Sequence, residues 1–218
     1  MAFTWSKNLT DVFSSGNSPQ NFYDRSSEKG FADFDSPRRL SLALNWNIPV
    51  GRGREFLPNL GRPLDLVLGG WQVSTSQVFQ EGIAAAFSVT GGTYFGDAIR
   101  PNVVGDPSQG VTGSIGSRLT SYFNTAAFAR PANFTMGNVA PRIGSVRSPG
   151  NNSVNLALGK TFQIYERLKA ELRATAYNAL NHPTFSTPGY TFGSSSFGIS
   201  SGQSNASRQV EITLKLRF

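Results

Sequence analysis

The chain has 218 residues, and 20 Lys and Arg against 13 Asp and Glu leave a formal charge of +7. Hydrophobic residues make up 39% and charged residues 15%, against roughly 45–50% and about 25% for an average soluble domain, so core formers and solubilising charge are both scarce. No apolar run approaches the roughly 18 residues of a spanning helix, Cys is absent and His182 is the single histidine, which excludes helical membrane proteins, disulfides, thiolate catalysis and Cys- or His-built zinc sites.

Phe3 and Trp5 read as the end of a strand, followed by a loop rich in Ser, Asn, Asp and Gly. Residues 39–48 place Leu40, Leu42, Leu44, Trp46 and Ile48 on one face, opposite Arg39, Ser41, Ala43, Asn45 and Asn47. This is period-2 alternation, which a helix would scatter all round its axis. Residues 49–69 turn the chain, and 71–80 form a weaker strand in which Trp71, Val73 and Phe79 share a face with Thr75 and Gln77. A very long polar excursion, 81–152, precedes a strand over 153–162, whose Val154, Leu156, Leu158 and Phe162 share their face with one misfit, Lys160. A tight turn at 163–167 leads into 168–177, where Leu168, Ala170, Leu172, Ala174 and Ala176 lie opposite Lys169, Glu171, Arg173, Thr175 and Tyr177. Ala, Leu, Glu and Arg would also suit a helix there, but the unbroken alternation favours a strand. A loop over 182–206 leads to the last strand, 207–218, with Val210, Ile212, Leu214, Leu216 and Phe218 opposite Gln209, Glu211, Thr213, Lys215 and Arg217.

The connections alternate between long and shorter. Loops beyond about 12–15 residues are uncommon in compact domains, and three of them on every second connection is the layout of a transmembrane β-barrel with short periplasmic turns and longer extracellular loops. The predicted class is therefore all-β: an antiparallel up-and-down barrel segment of about six strands in the outer membrane. Six strands are too few to close a barrel, so an open, curved sheet with two unpaired edges is expected, formed by the C-terminal part of a larger barrel. The chain starts without an export signal, which on its own suggests the cytoplasm and on the barrel reading marks an absent N-terminal part. Trp46 and Trp71 flank the 49–69 turn, Phe162 and Tyr165 flank the next, and Phe218 ends the chain at the same level, as an aromatic girdle facing outer-membrane lipid would. Ordinary strand-end core aromatics are the alternative. Arg39, Lys169, Glu171, Arg173, Glu211, Lys215 and Arg217 would face the lumen. The competing architecture is a soluble or secreted β-sandwich binding module whose apolar faces meet in a core.

Several segments carry a family likeness. Phe3-Thr-Trp-Ser-Lys, Asp35-Ser-Pro-Arg-Arg-Leu-Ser-Leu-Ala-Leu, Ile48-Pro-Val-Gly-Arg-Gly-Arg, Gly69-Gly-Trp-Gln-Val-Ser and Arg100-Pro-Asn-Val-Val-Gly-Asp-Pro are five of them. Tyr122-Phe-Asn-Thr-Ala-Ala-Phe, Gly144-Ser-Val-Arg-Ser-Pro-Gly, Ala174-Thr-Ala-Tyr-Asn-Ala-Leu-Asn-His-Pro-Thr-Phe and the terminal Phe218 complete the set. In order, over nearly the whole chain, they resemble the C-terminal barrel of Oar-like TonB-dependent receptors. The resemblance implies a carboxypeptidase-regulatory-like domain and a plug ahead of a barrel of about 22 strands, with TonB reached only through the plug. Neither plug nor TonB-contacting segment is in this sequence. It also implies that Leu214, Leu216 and Phe218 form the signal read by the barrel-assembly machinery through β-augmentation.

The remaining motifs are weaker. Gly51-Arg-Gly-Arg54 and the high isoelectric point suggest nucleic acid, but the motif is a single copy and the other basic residues are dispersed on polar strand faces, so no nucleic-acid partner is expected. Triplets at Asn8, Asn133, Asn151 and Asn205 match the glycosylation pattern at a frequency that chance supplies in an Asn- and Ser-rich chain. His182 precedes Pro183 with no acid nearby to orient it, which fits a loop-closing turn better than half of a Ser-His pair. Glu171 and Glu211 could mimic a glycosidase pair, but Lys169, Arg173 and Lys215 make ion pairing the better account. Neither enzymatic activity nor a cofactor is expected.

Overall fold

The computed structural model describes residues 1–11, 19–91, 93–94, 97–165 and 168–218. Positions 166 and 167 of the expected 163–167 turn, and parts of the first two long loops, lie outside them. Six antiparallel strands form one sheet: β1 (Ala2–Trp5), β2 (Arg38–Asn47), β3 (Trp71–Gln80), β4 (Asn151–Gln163), β5 (Lys169–Tyr177) and β6 (Gln209–Arg217). Their order across the sheet is their order along the chain. The sheet is open, with β1 and β6 as its two edges.

The register joins the alternating strands into continuous faces. Trp46, Val73, Leu158, Ala174 and Ile212 are cross-strand partners in one row. One residue along lies the row Asn45, Ser74, Ala157, Thr175 and Glu211. A slip of a single residue would exchange the two faces, so the unbroken alternation holds the register. Val210, Ile212, Leu214 and Leu216 are 53–71% exposed, and Leu44 and Trp46 each 52%. Among the described residues no second sheet covers them, since the other strand pairs are short and lie within connections, so the sandwich lacks its second layer.

Strand limits depart from expectation where side chains intercept the ladder. β6 begins at Gln209 rather than 207, because the Arg208 amide donates to Asn181 Oδ1 at 3.0 Å. β5 begins at Lys169 because the Leu168 carbonyl is occupied by the amides of Ile164 and Tyr165, which close the turn. Gly70, at φ +74°, sits where a Cβ would come 2.4 Å from the Thr161 carbonyl oxygen, so only glycine lets β3 start beside β4.

Two connections correct the sequence reading. The 49–69 turn contains a helix, α1 (Arg62–Leu68), entered through Pro63 in its first turn and stopped where the Gly69 amide returns to the Asp65 carbonyl. The 81–152 excursion is not simply polar. Ala85, Phe87, Tyr122, Phe123, Ala127, Phe128, Val139 and Val146 form a buried cluster, against which Tyr190, Phe192 and Phe197 of the 182–206 loop pack. The Phe87 and Phe128 rings stack at 4.4 Å, and Phe197 meets Phe123 edge-on at 5.1 Å. Aromatic pairs of this kind add about 0.5–1.5 kcal/mol beyond their buried area, enough to hold loops together as a cap.

Leu44 lies mid-strand, in the row of Thr75, Leu156, Ala176 and Val210. If this face meets lipid, as the sequence leads one to expect, Leu44→Arg should destabilise the sheet by about 2–4 kcal/mol, whereas Asn45→Arg on the opposite face should change little. Urea titration of the folded, heat-modifiable band on gels measures both; equal losses would contradict the face assignment.

Candidate functional site

The polar face gathers charge at the end of the sheet that carries the short turns. Glu171 and Lys215 are direct cross-strand partners, as are Arg173 with Thr213 and Thr175 with Glu211. Lys169 opposes Arg217, a like-charge contact that Glu171 relieves by pairing with Arg217 at 3.1 Å. Glu211 Oε1 accepts from Thr213 Oγ1. Ser76, Asn155 and Tyr177 line a groove of about 430 Å³ together with Glu171, Arg173, Thr175, Glu211, Thr213 and Lys215. Four of the seven polar residues named from sequence thus line the groove, two basic and two acidic, and Lys169 and Arg217 continue the same face toward the turn. Arg39 does not join them, because it stands at the loop end of β2 opposite Gln80. The two glutamates lie in an ion-paired strip, and among the described residues no group of three or more His, Asp or Glu converges as a metal site would.

The apolar face is finished at the turn end by aromatics. Trp71 and Phe162 bracket Lys160, whose Nζ lies 4.3 Å from the Trp71 ring centroid and 5.3 Å from that of Phe162. The ammonium also donates to the carbonyls of Val67 at 2.7 Å and Gly69 at 2.8 Å. This accounts for the misfit: Lys160 is a cation on an apolar face that satisfies the last carbonyls of α1. Trp71 Nε1 donates to the same Val67 carbonyl. Trp46 is exposed on this face and Tyr165 is exposed in the turn. Leu214 and Leu216 oppose Leu172 and Ala170 on edge strand β6, and Phe218 extends beyond it almost fully exposed.

At the other end the cap is clamped by buried ion pairs that sequence reading missed. The Arg100 guanidinium forks onto both Glu28 oxygens at 2.7 and 2.8 Å, with the Glu28 side chain fully buried. Gln20 ties the same corner, accepting from the Arg100 amide and donating to the Gly137 carbonyl. Arg147 reaches the buried Asp35 at 2.9 Å, while Asp35 Oδ1 accepts from the Asn8 amide. Asp35, Arg100 and Arg147 sit in the segments that carry the family likeness, which was the available signal; Glu28 had none. Asn178 and Asn181 adopt φ of 48° and 52°, and Asn178 bonds the His182 amide and carbonyl, building the turn ahead of Pro183. A cavity of about 580 Å³ lies between cap and sheet, lined by Phe3, Leu40 and Phe79 below and by Val111, Arg118 and Tyr122 above.

A model of the outer membrane beta barrel domain family matches residues 1–211, and the chain belongs to that family. It is an outer-membrane protein built on an antiparallel β-barrel sheet. Neither a curated protein nor a solved structure matches it.

Two expectations follow for the cap. Glu28→Gln strands the Arg100 charge in a buried site and should cost the cap about 3–5 kcal/mol, seen as protease nicking of the loops while the sheet stays folded. Unchanged nicking would refute the clamp. Burial holds the Tyr190 phenol above its ordinary range, with Tyr122 adding to the effect, and burial likewise raises Tyr122. Below the ordinary phenol range the resulting stability is fully present. As pH climbs past about 10, the unfolded cap sheds protons that the folded cap retains, so the cap weakens. Nicking rates compared at about pH 8 and about pH 11 measure this, and a flat profile would contradict it.

Proposed function

We propose that this sheet is part of the wall of a larger, TonB-dependent receptor barrel, and that the cap is its extracellular, ligand-facing end. The observation that carries the reading is the sheet itself: two continuous faces of opposite character ending in two unpaired edges. In hydrocarbon an unpaired strand edge is untenable, and six strands are too few to close, so further strands complete the barrel. The long loops share one end, which outer-membrane barrels turn to the exterior, leaving α1 and the short turn in the periplasm. The charged groove on the polar face then lines the lumen, and Trp46, Trp71, Phe162 and Tyr165 form the inner aromatic girdle. The exposed β6 edge, with Leu214, Leu216 and Phe218, suits strand addition by the assembly machinery. Long loops packed into a cap at the exterior end suit capture of a bulky solute. Energy would come from TonB through a plug. The role is binding and passage rather than catalysis, without nucleic acid.

The absence of native cysteine makes the test direct. In outer membranes, Thr213→Cys should react with a water-soluble maleimide and Leu214→Cys should be protected until detergent is added. A barrel of this type should conduct little in planar bilayers, because its lumen is plugged. Equal labelling at both positions, or a folded monomer in buffer without detergent, would overturn the barrel wall; free ionic conductance would overturn the plugged-receptor part alone.

A further inference from the structure

The connection between β2 and β3 is more elaborate than joining two strands requires. Asp65 is its hub: its carboxylate accepts the Arg52 amide at 2.7 Å, and its carbonyl takes the Gly69 amide. Gly51 and Gly69 press against it so closely that a Cβ on either would come within 2.7 or 2.3 Å of Asp65 Oδ1. The Gly-Arg-Gly-Arg stretch that suggests a nucleic-acid element therefore owes Gly51 to this fold, at φ +126°. A built structure of this kind holds its side chains in place, and it points apolar ones outward. Phe56, Leu57, Leu64, Leu66, Val67 and Leu68 are all 43–63% exposed.

The position of α1 decides what covers them. Lys160 and Trp71 belong to the apolar face of the sheet, and both hold the C-terminal carbonyls of α1. The helix is thus docked on the side that meets lipid, at its turn end, where Lys160 stands in one cross-strand row with Leu172 and Leu214. Arg52, Arg54 and Arg62 are exposed around it, and none is in an ion pair among the described residues. Glu55 is the one exposed carboxylate among them. Apolar side chains ringed by Arg are the pattern of a segment that lies in a membrane interface.

We infer that residues 50–69 form a foot that beds into the periplasmic leaflet, with Leu64, Val67 and Leu68 among the acyl chains and Arg52, Arg54 and Arg62 at the phosphates of phospholipid headgroups. The foot rests on the reading of the sheet as a barrel wall. Lys160 is its latch: it ties α1 to the sheet and keeps the helix against the lipid-facing side rather than hanging into the periplasm.

The test uses single-cysteine variants Val67→Cys and Leu64→Cys, with Asn59→Cys as the solvent-side reference and Leu214→Cys as the sheet reference. Each carries an environment-sensitive fluorophore on the full-length protein, extracted from outer membranes and returned to phosphatidylethanolamine–phosphatidylglycerol vesicles containing a nitroxide-labelled lipid. Positions 64 and 67 should show blue-shifted emission and lipid quenching at least about twice that of position 59. Adding Lys160→Met should lower quenching at 67 and leave 214 unchanged. If 214 is quenched while 64 and 67 match 59, the foot is refuted and the barrel wall stands. If 64 and 67 are shielded from water yet not quenched by lipid, a protein covers them and the lipid assignment fails. If 214 is not quenched either, the barrel wall and the foot fail together.

Discussion

In the hydrocarbon of a membrane a peptide group has no water to bond, so every amide and carbonyl of a spanning segment must find its partner within protein. The ladder through β2, β3, β4, β5 and β6 meets that demand on both sides of each inner strand, and nearly everything else in the molecule depends on it. Once the backbone is committed to pairing, side chains alternate between faces, and the polar row of Asn45, Ser74, Ala157, Thr175 and Glu211 can run one residue from the apolar row of Trp46, Val73, Leu158, Ala174 and Ile212. Even the polar intruders on the apolar face are handled within the ladder. Thr75 Oγ1 donates to the Asn155 carbonyl and receives Gln77 Nε2, so neither side chain is left bare.

The ladder also explains why the two ends of the sheet differ. At the turn end the chain must reverse within a few residues or lie down beside the sheet, and it does both: through the Leu168 carbonyl in one connection and through α1 under Lys160 in the other. At the loop end the chain leaves the ladder for long stretches, and their polar groups need other partners. Buried pairs such as Arg100 with Glu28 and Arg147 with Asp35 supply them, around a core that is mostly aromatic.

How much of this was legible follows the same division. Strands were readable because alternation is local: five residues from Leu214 to Phe218 suffice to show it. Limits such as Gln209 were not, because the Asn181 side chain that takes the Arg208 amide is 27 residues away. The convergence of Lys169, Glu171, Arg173 and Lys215 could be read from face and neighbourhood, while Arg39 carries the same face signature and stands apart, since alternation fixes the face and says nothing of height. The cap stayed hidden because its core has no period. Phe87, Phe123, Phe128 and Phe197 are scattered among Gly, Ser and Asn, and only their frequency hinted that the long loops pack. Helix α1 is seven residues long, too short for an amphipathic period to emerge.

The spacing of the cap's clamps has a consequence for biogenesis. Asp35 and Arg147 are 112 positions apart, and Gln20 and Gly137 are 117 apart, so the clamps join loops that leave the sheet at different strands. On the reading of the loops as extracellular, the contacts that fasten each loop to its neighbours form only once both have crossed the bilayer. Once the loops meet on the far side, Tyr190, Phe192 and Phe197 of one close on the cluster around Phe87 and Phe123 of the other. The cap then works as a rivet head, formed only after the shank is through, and it keeps the sheet from sliding back.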